Sequence, residues 1–190
     1  LKPQLWNFSH IVHDGICHSF KACIINIFPS LKDIQPDWSV LYREKKTALI
    51  KIYHEDPILL MPGVERFLTF LNENKKKMAV VTNSDLELIQ IIKKKTPILS
   101  TIPNWITREL YVKAKPNPEC YLKAIQLLAN DKDKIIGFED TPRGLKALMG
   151  TRATPVLITE LNYPELPSLM RSGVQHFPTF EYLMKAHSLG

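Results

Sequence analysis

The rhythm of apolar and polar positions changes near residue 58, and that change divides the chain. From Trp38 onward, Leu41, Ala48, Leu49, Ile52 and Tyr53 recur at helical spacing, with Arg43, Glu44, Lys45, Lys46 and Lys51 between them. Pro36-Asp37 supplies a helix start signal. Phe20 to Phe28 is a second apolar segment, closed by Pro29 and Ser30. No strand alternation appears in this part, so residues 1–57 are expected to form a small helical cap. Beyond Ile58, helical and strand-like runs take turns. Helices are expected at Glu65–Asn74, Leu86–Lys95, Pro118–Ala129, Arg143–Met149 and Phe180–Ala186. Strands are expected at Met78–Val81, Trp105–Ile106, Lys134–Phe138 and Thr154–Thr159. Short continuous apolar runs between helices predict an α/β core over residues 58–190, its parallel sheet covered on both faces.

Composition changes this picture little. A chain of 190 residues that is 45% hydrophobic can bury one sizeable core. The net charge of +6 and a pI near 9.2 raise the question of an anionic partner. The lysines are scattered, however, and form only two short runs, Lys75-Lys76-Lys77 and Lys93-Lys94-Lys95, which read as solvated faces. No aromatic-interleaved basic stripe accompanies them, so no nucleic-acid partner is expected. Cys17, Cys23 and Cys120 form no metal-ligand spacing, and an odd count suits a reducing cytoplasmic setting better than a disulfide framework. Apolar runs are too short to span a bilayer, and no signal-peptide pattern is present.

Candidate chemistry sits in three stretches. Thr82 follows the apolar Met78–Val81 run and precedes Asn83-Ser84-Asp85, so its hydroxyl is expected at a strand end beside the N–H groups opening the next helix. Ser84 or Asp85 could equally serve as that helix's cap. Lys115 stands before Pro116, where the backbone is held extended or turned and a lysine can act as a point charge for phosphate. Lys113 competes for that role, and an exposed loop lysine is the bland alternative. Glu139-Asp140 ends the apolar Ile135–Phe138 run. Adjacent carboxylates suit a hard cation, and Mg²⁺ takes one or two of them. Capping by Asp140 or Thr141, with Pro142 in the first turn and Arg143 as an ion-pair partner, is the competing explanation.

In this order the three stretches resemble the haloacid dehalogenase-like superfamily, in particular its branch similar to phosphoglycolate phosphatase and β-phosphoglucomutase. Thr82 matches the Thr or Ser of that family's second motif, Lys115 in KPNP the lysine of the third, and Glu139-Asp140 in GFEDT the acidic pair of the fourth. Met61-Pro62-Gly63-Val64, Ile106-Thr107-Arg108-Glu109, Gly144 and Ala147 resemble its flanking segments. A response-regulator receiver combines similar residues with the acids first, an order this chain does not have. The resemblance implies a Rossmann-like core with a helical cap, and Mg²⁺-dependent hydrolysis of a small phosphorylated metabolite through a phosphoaspartyl intermediate. It further implies that Lys115 and Thr82 serve catalysis and that Thr82, the Asn83 backbone N–H and Lys115 bind phosphate. Asp140 with Glu139 would hold Mg²⁺. Related expectations are a phosphosugar mutase, or a non-catalytic member that binds phosphorylated ligands.

One motif of the family is not matched. Its nucleophile lies in a DxDGT-type stretch at the end of a central strand, and no DxD occurs in this chain. His13-Asp14-Gly15-Ile16 comes nearest, but it would put Val12 at the nucleophile position, behind the unstrand-like Asn7-Phe8-Ser9-His10. That stretch is assigned to the cap, and a helix–helix turn is its expected role. The expectation is therefore a core without its first strand, and, since the chain opens on Leu1, a piece of a longer enzyme that would be inactive alone. Substrate and oligomeric state are not legible in these residues.

Overall fold

A computed structural model describes residues 29–34 and 37–189. The His13–Ile16 and Phe20–Phe28 stretches and Pro36 lie outside the described residues. The elements run α1 (Leu31–Ile34), α2 (Trp38–Glu55), α3 (Val64–Glu73), β1 (Ala79–Val81), α4 (Leu86–Lys95), β2 (Asn104–Ile106) and α5 (Glu119–Leu128). They continue with β3 (Ile136–Glu139), α6 (Pro142–Met149), β4 (Thr154–Ile158), α7 (Leu166–Arg171), β5 (Gln175–Phe177) and α8 (Phe180–Ala186). Short 3-10 turns at Pro97–Thr101 and Arg108–Leu110 flank β2. The expected strand–helix alternation is therefore the architecture observed, and all strand pairings are parallel.

The sheet is in two pieces. β1 pairs with β2, and β3, β4 and β5 pair in that order. Among the described residues no strand joins β1 to β3. These two strands were expected to be buried on both faces, and they are not: β1 is half-buried throughout, and Ile136 of β3 is 59% exposed. Among the described residues each lies at the edge of its own sheet, with no strand paired along its other side.

What joins the pieces is the packing behind them. Val81 and Ile106 from the first sheet and Ile135 beside the second meet Cys120, Tyr121 and Ala124 of α5 and Ala147 and Leu148 of α6 in one apolar cluster. A second cluster stacks Phe67 on Phe180, ring centroids 4.9 Å apart, with Phe138 edge-on to Phe67 at 5.3 Å. Burying each such side chain contributes roughly 1.5–3 kcal/mol. Gly63, in the Pro62-Gly63 turn that opens α3, has φ +86°, and any Cβ there would strike the backbone at Glu181. A side chain is excluded on both counts.

Two elements were not expected. β5 reads Gln-His-Phe with Pro178 behind it, a polar edge strand without a hydrophobic signature. α7 is short and carries Pro167 in its first turn, where proline is compatible with a helix although it resembles a breaker in sequence. Pro155 stands inside β4 before β5 begins to pair at Val156, so its missing N–H interrupts no ladder. No helix among the described residues is long and apolar enough to cross a membrane.

Candidate functional site

Within each sheet the strands are parallel, so their carboxyl ends point the same way, and the three candidate stretches follow β1, precede α5 and follow β3. Lys115 brings them together. Its Nζ lies 2.9 Å from the Val81 carbonyl at the end of β1, 2.6 Å from Glu139 Oε1 at the end of β3, and 3.0 Å from the Tyr121 hydroxyl of α5. Lys115 is 7% exposed and Glu139 8%. Of the two competing lysines, then, Lys115 is the one at the site; Lys113 is exposed.

Local folding explains how a lysine is held there. Glu119, in the first turn of α5, accepts the backbone N–H groups of Val112 (2.7 Å) and Lys113 (2.9 Å), which folds the preceding loop back onto the helix. These bonds keep the Glu119 carboxyl below its usual range. Arg143 of α6 donates through Nε to the Lys115 carbonyl, and the Lys115–Pro116 peptide bond is cis. Arg143 thus holds the lysine backbone, while Val81, Glu139 and Tyr121 hold its side chain.

Glu139 carries the most perturbed environment. Burial pushes its carboxyl above the usual range, against the pull of the adjacent Lys115 ammonium. The Tyr121 hydroxyl donates to the same Oε1 atom. A Cβ at residue 144 would collide with this carboxylate, so Gly144 is required by close approach. Asp140, the next residue, is half-buried. The cap of α6 is Thr141, whose hydroxyl oxygen accepts Gly144 N–H at 3.2 Å. Asp140 is therefore not spent as that helix's cap.

At the end of β1 the arrangement is neutral. Thr82 Oγ1 accepts the Ser84 N–H at 3.0 Å. Asn83 is buried, and the Tyr111 hydroxyl lies 2.5 Å from its Oδ1 and 2.8 Å from the Thr82 carbonyl. The N–H groups opening α4 were expected to be free beside Thr82. They are not open to an anion, because Asp85 accepts from Leu88 (3.1 Å) and Glu109 Oε1 from Leu86 (2.9 Å). Acid side chains already complement that helix end.

Tyr111 and Tyr121 are the site residues that motif reasoning missed. Tyr121 gave a faint signal, since it falls in the first turn of an expected helix six residues after Lys115. Among the described residues no group of three or more His, Cys, Asp or Glu side chains could hold a metal ion. Burial pushes the Cys120 thiol up to about 11, so it stays protonated. The donor set at the end of β3 is two carboxylates, which matches Mg²⁺, an oxygen-seeking ion that takes one or two of them and fills its shell with water and substrate.

A family model described as haloacid dehalogenase-like hydrolase matches residues 30–149. A comparison with curated proteins finds no match. Among solved structures, the chain is similar to a HAD hydrolase, family IA, variant 3, from Entamoeba histolytica HM-1:IMSS, at 26% identity and a TM-score of 0.63, covering 76% of this chain and 66% of that one. It also resembles CbbY from Rhodobacter sphaeroides in complex with phosphate, at 17% identity and TM-score 0.64, over 78% of this chain and 66% of that one. A third relative is the β-phosphoglucomutase of Clostridium difficile, at 20% identity and TM-score 0.63, over 78% and 66%. At 17% and 20% the likeness is one of fold. The chain spans just under two thirds of the length of these structures.

Proposed function

The chain belongs to the haloacid dehalogenase-like hydrolases, and from that premise we propose that it carries the phosphate-holding shell of a Mg²⁺-dependent phosphatase acting on a small phosphorylated metabolite. The observation that carries the reading is the buried Lys115 ammonium at the junction of the β1 and β3 ends. A positive charge fixed there by neighbouring groups costs no reorganisation when phosphoryl charge arrives, and phosphoryl transfer draws most of its catalysis from such positioning.

In this reading Thr82 still has its hydroxyl proton to give, and with the Asn83 backbone N–H it meets the phosphate oxygens. Lys115 neutralises and orients the group. Asp140, with Glu139 behind it, would hold Mg²⁺, which when bound supplies further charge neutralisation. The reaction would pass through a phosphoaspartyl intermediate on an aspartate outside the described residues. Helix α2 would belong to a helical cap over residues 1–57, and 58–190 to the core. None of the described side chains of α2 is buried, and polar contacts tie it to α4, including Lys46 to Asp85 at 2.8 Å. The buried free thiol of Cys120 is consistent with a reducing, cytoplasmic setting.

The test is hydrolysis of a generic phosphomonoester by the full-length protein with and without Mg²⁺. Activity that needs the metal and falls at least about a hundredfold in Asp140→Asn supports the phosphatase. Metal-independent activity untouched by that substitution contradicts it. A full-length protein that binds phosphate without turnover would belong to a non-catalytic member instead.

A further inference from the structure

The Lys115 ammonium has three N–H donors, and the chain itself already takes all of them: the Val81 carbonyl, Glu139 and the Tyr121 hydroxyl. An incoming phosphate oxygen must therefore replace one. The three bonds are unequal. Giving up Glu139 strips a buried carboxylate of its ammonium partner, a heavily penalised exchange. Giving up Val81 leaves a strand-end carbonyl without that donor. The contact with Tyr121 is the longest, and its acceptor is a neutral phenol oxygen. When that contact opens, the Tyr121 hydroxyl keeps its own donation to Glu139. Its ring also stays near the ammonium, which lies 4.8 Å from the centroid.

Resting on the phosphate reading of this site, we propose that Tyr121 is a positioning residue that occupies the third donor of Lys115 and yields it to the anion. The phenol oxygen keeps the buried ammonium satisfied in the resting state and anchors Glu139 in both states. Its role differs from that of Tyr111, which is equally buried but touches the Thr82–Asn83 turn and not the lysine.

The experiment is titration of the 190-residue chain with inorganic phosphate by calorimetry, comparing the parent sequence with Tyr121→Phe, Tyr111→Phe and Lys115→Ala. Tyr121→Phe leaves a lysine N–H without an acceptor, so phosphate affinity rises about three- to tenfold, the usual worth of one hydrogen bond. Tyr111→Phe loosens the opposite wall and weakens binding. A merely structural tyrosine would move both variants downward. Equal or weaker binding by Tyr121→Phe overturns the proposal while binding lost in Lys115→Ala leaves the site itself standing. No phosphate binding by the parent chain overturns both. Should Tyr121→Phe fail to fold, tyrosine-Cζ NMR of the parent chain decides: the Tyr121 resonance shifts on phosphate saturation, and an unmoved resonance overturns the idea.

Discussion

At the end of β1 the polar groups are neutral: Thr82 turns back on Ser84, and Tyr111, 28 residues further along the chain, pins Asn83. At the end of β3 the groups are charged and buried, and their bonds cross from one sheet to the other through Lys115. The neutral side can change without stranding a charge. The charged side cannot, because removing either ion leaves the other without compensation in a dry environment. The same contacts tie the ends of β1 and β3 together and, in the proposed function, pre-place charge for a phosphoryl group.

The sharpest way to break this contrast is Lys115→Met. It leaves Glu139 buried without its ammonium and should cost about 3–5 kcal/mol, read from urea denaturation at neutral pH. The double substitution Lys115→Met/Glu139→Leu should recover much of that loss. If the single variant is nearly neutral, the charged side is not structural. On the neutral side, Tyr111→Phe removes one hydroxyl that serves Asn83 and the Thr82 carbonyl, and about 1–2 kcal/mol is expected by the same measurement. A cost matching that of Lys115→Met would erase the distinction. The smallest effect concerns the loop that delivers the lysine. Glu119 has its carboxyl held below the ordinary 4.5 by the Val112 and Lys113 N–H groups. Its stabilisation is present above that pH and lost as pH falls through the lower folded-state value. Denaturation at pH 7 and pH 3 should show Glu119→Gln less stable than the parent at pH 7 and the two converging at pH 3. A gap that persists in acid would assign the effect to packing.

The alternation of strand and helix was legible because α3 to α6 carry strong apolar periodicity, with side-chain caps on α4 and α6, and Lys115 was legible through its proline setting. Tyr111 and Tyr121 were not: Tyr121 in an amphipathic helix reads as core, Tyr111 sits in the loop after a 3-10 turn, and neither shows the partner of its hydroxyl in sequence. β5 was invisible for a related reason: a three-residue edge strand needs only backbone pairing from its neighbour, and Gln175-His176-Phe177 advertises none of it. The open α4 terminus was misjudged because Glu109, which closes it, comes 23 residues after Leu86 in the chain.

Phosphate titration of the isotopically labelled 190-residue chain, followed by amide and lysine-ammonium NMR, tests the central claim most directly. The account predicts saturable shifts at Thr82, Asn83, Ser84 and the Lys115 ammonium, with Lys75–Lys77 and Lys93–Lys95 unmoved. Shifts confined to those lysine runs, or none at Lys115, would contradict a phosphate site at the junction of β1 and β3.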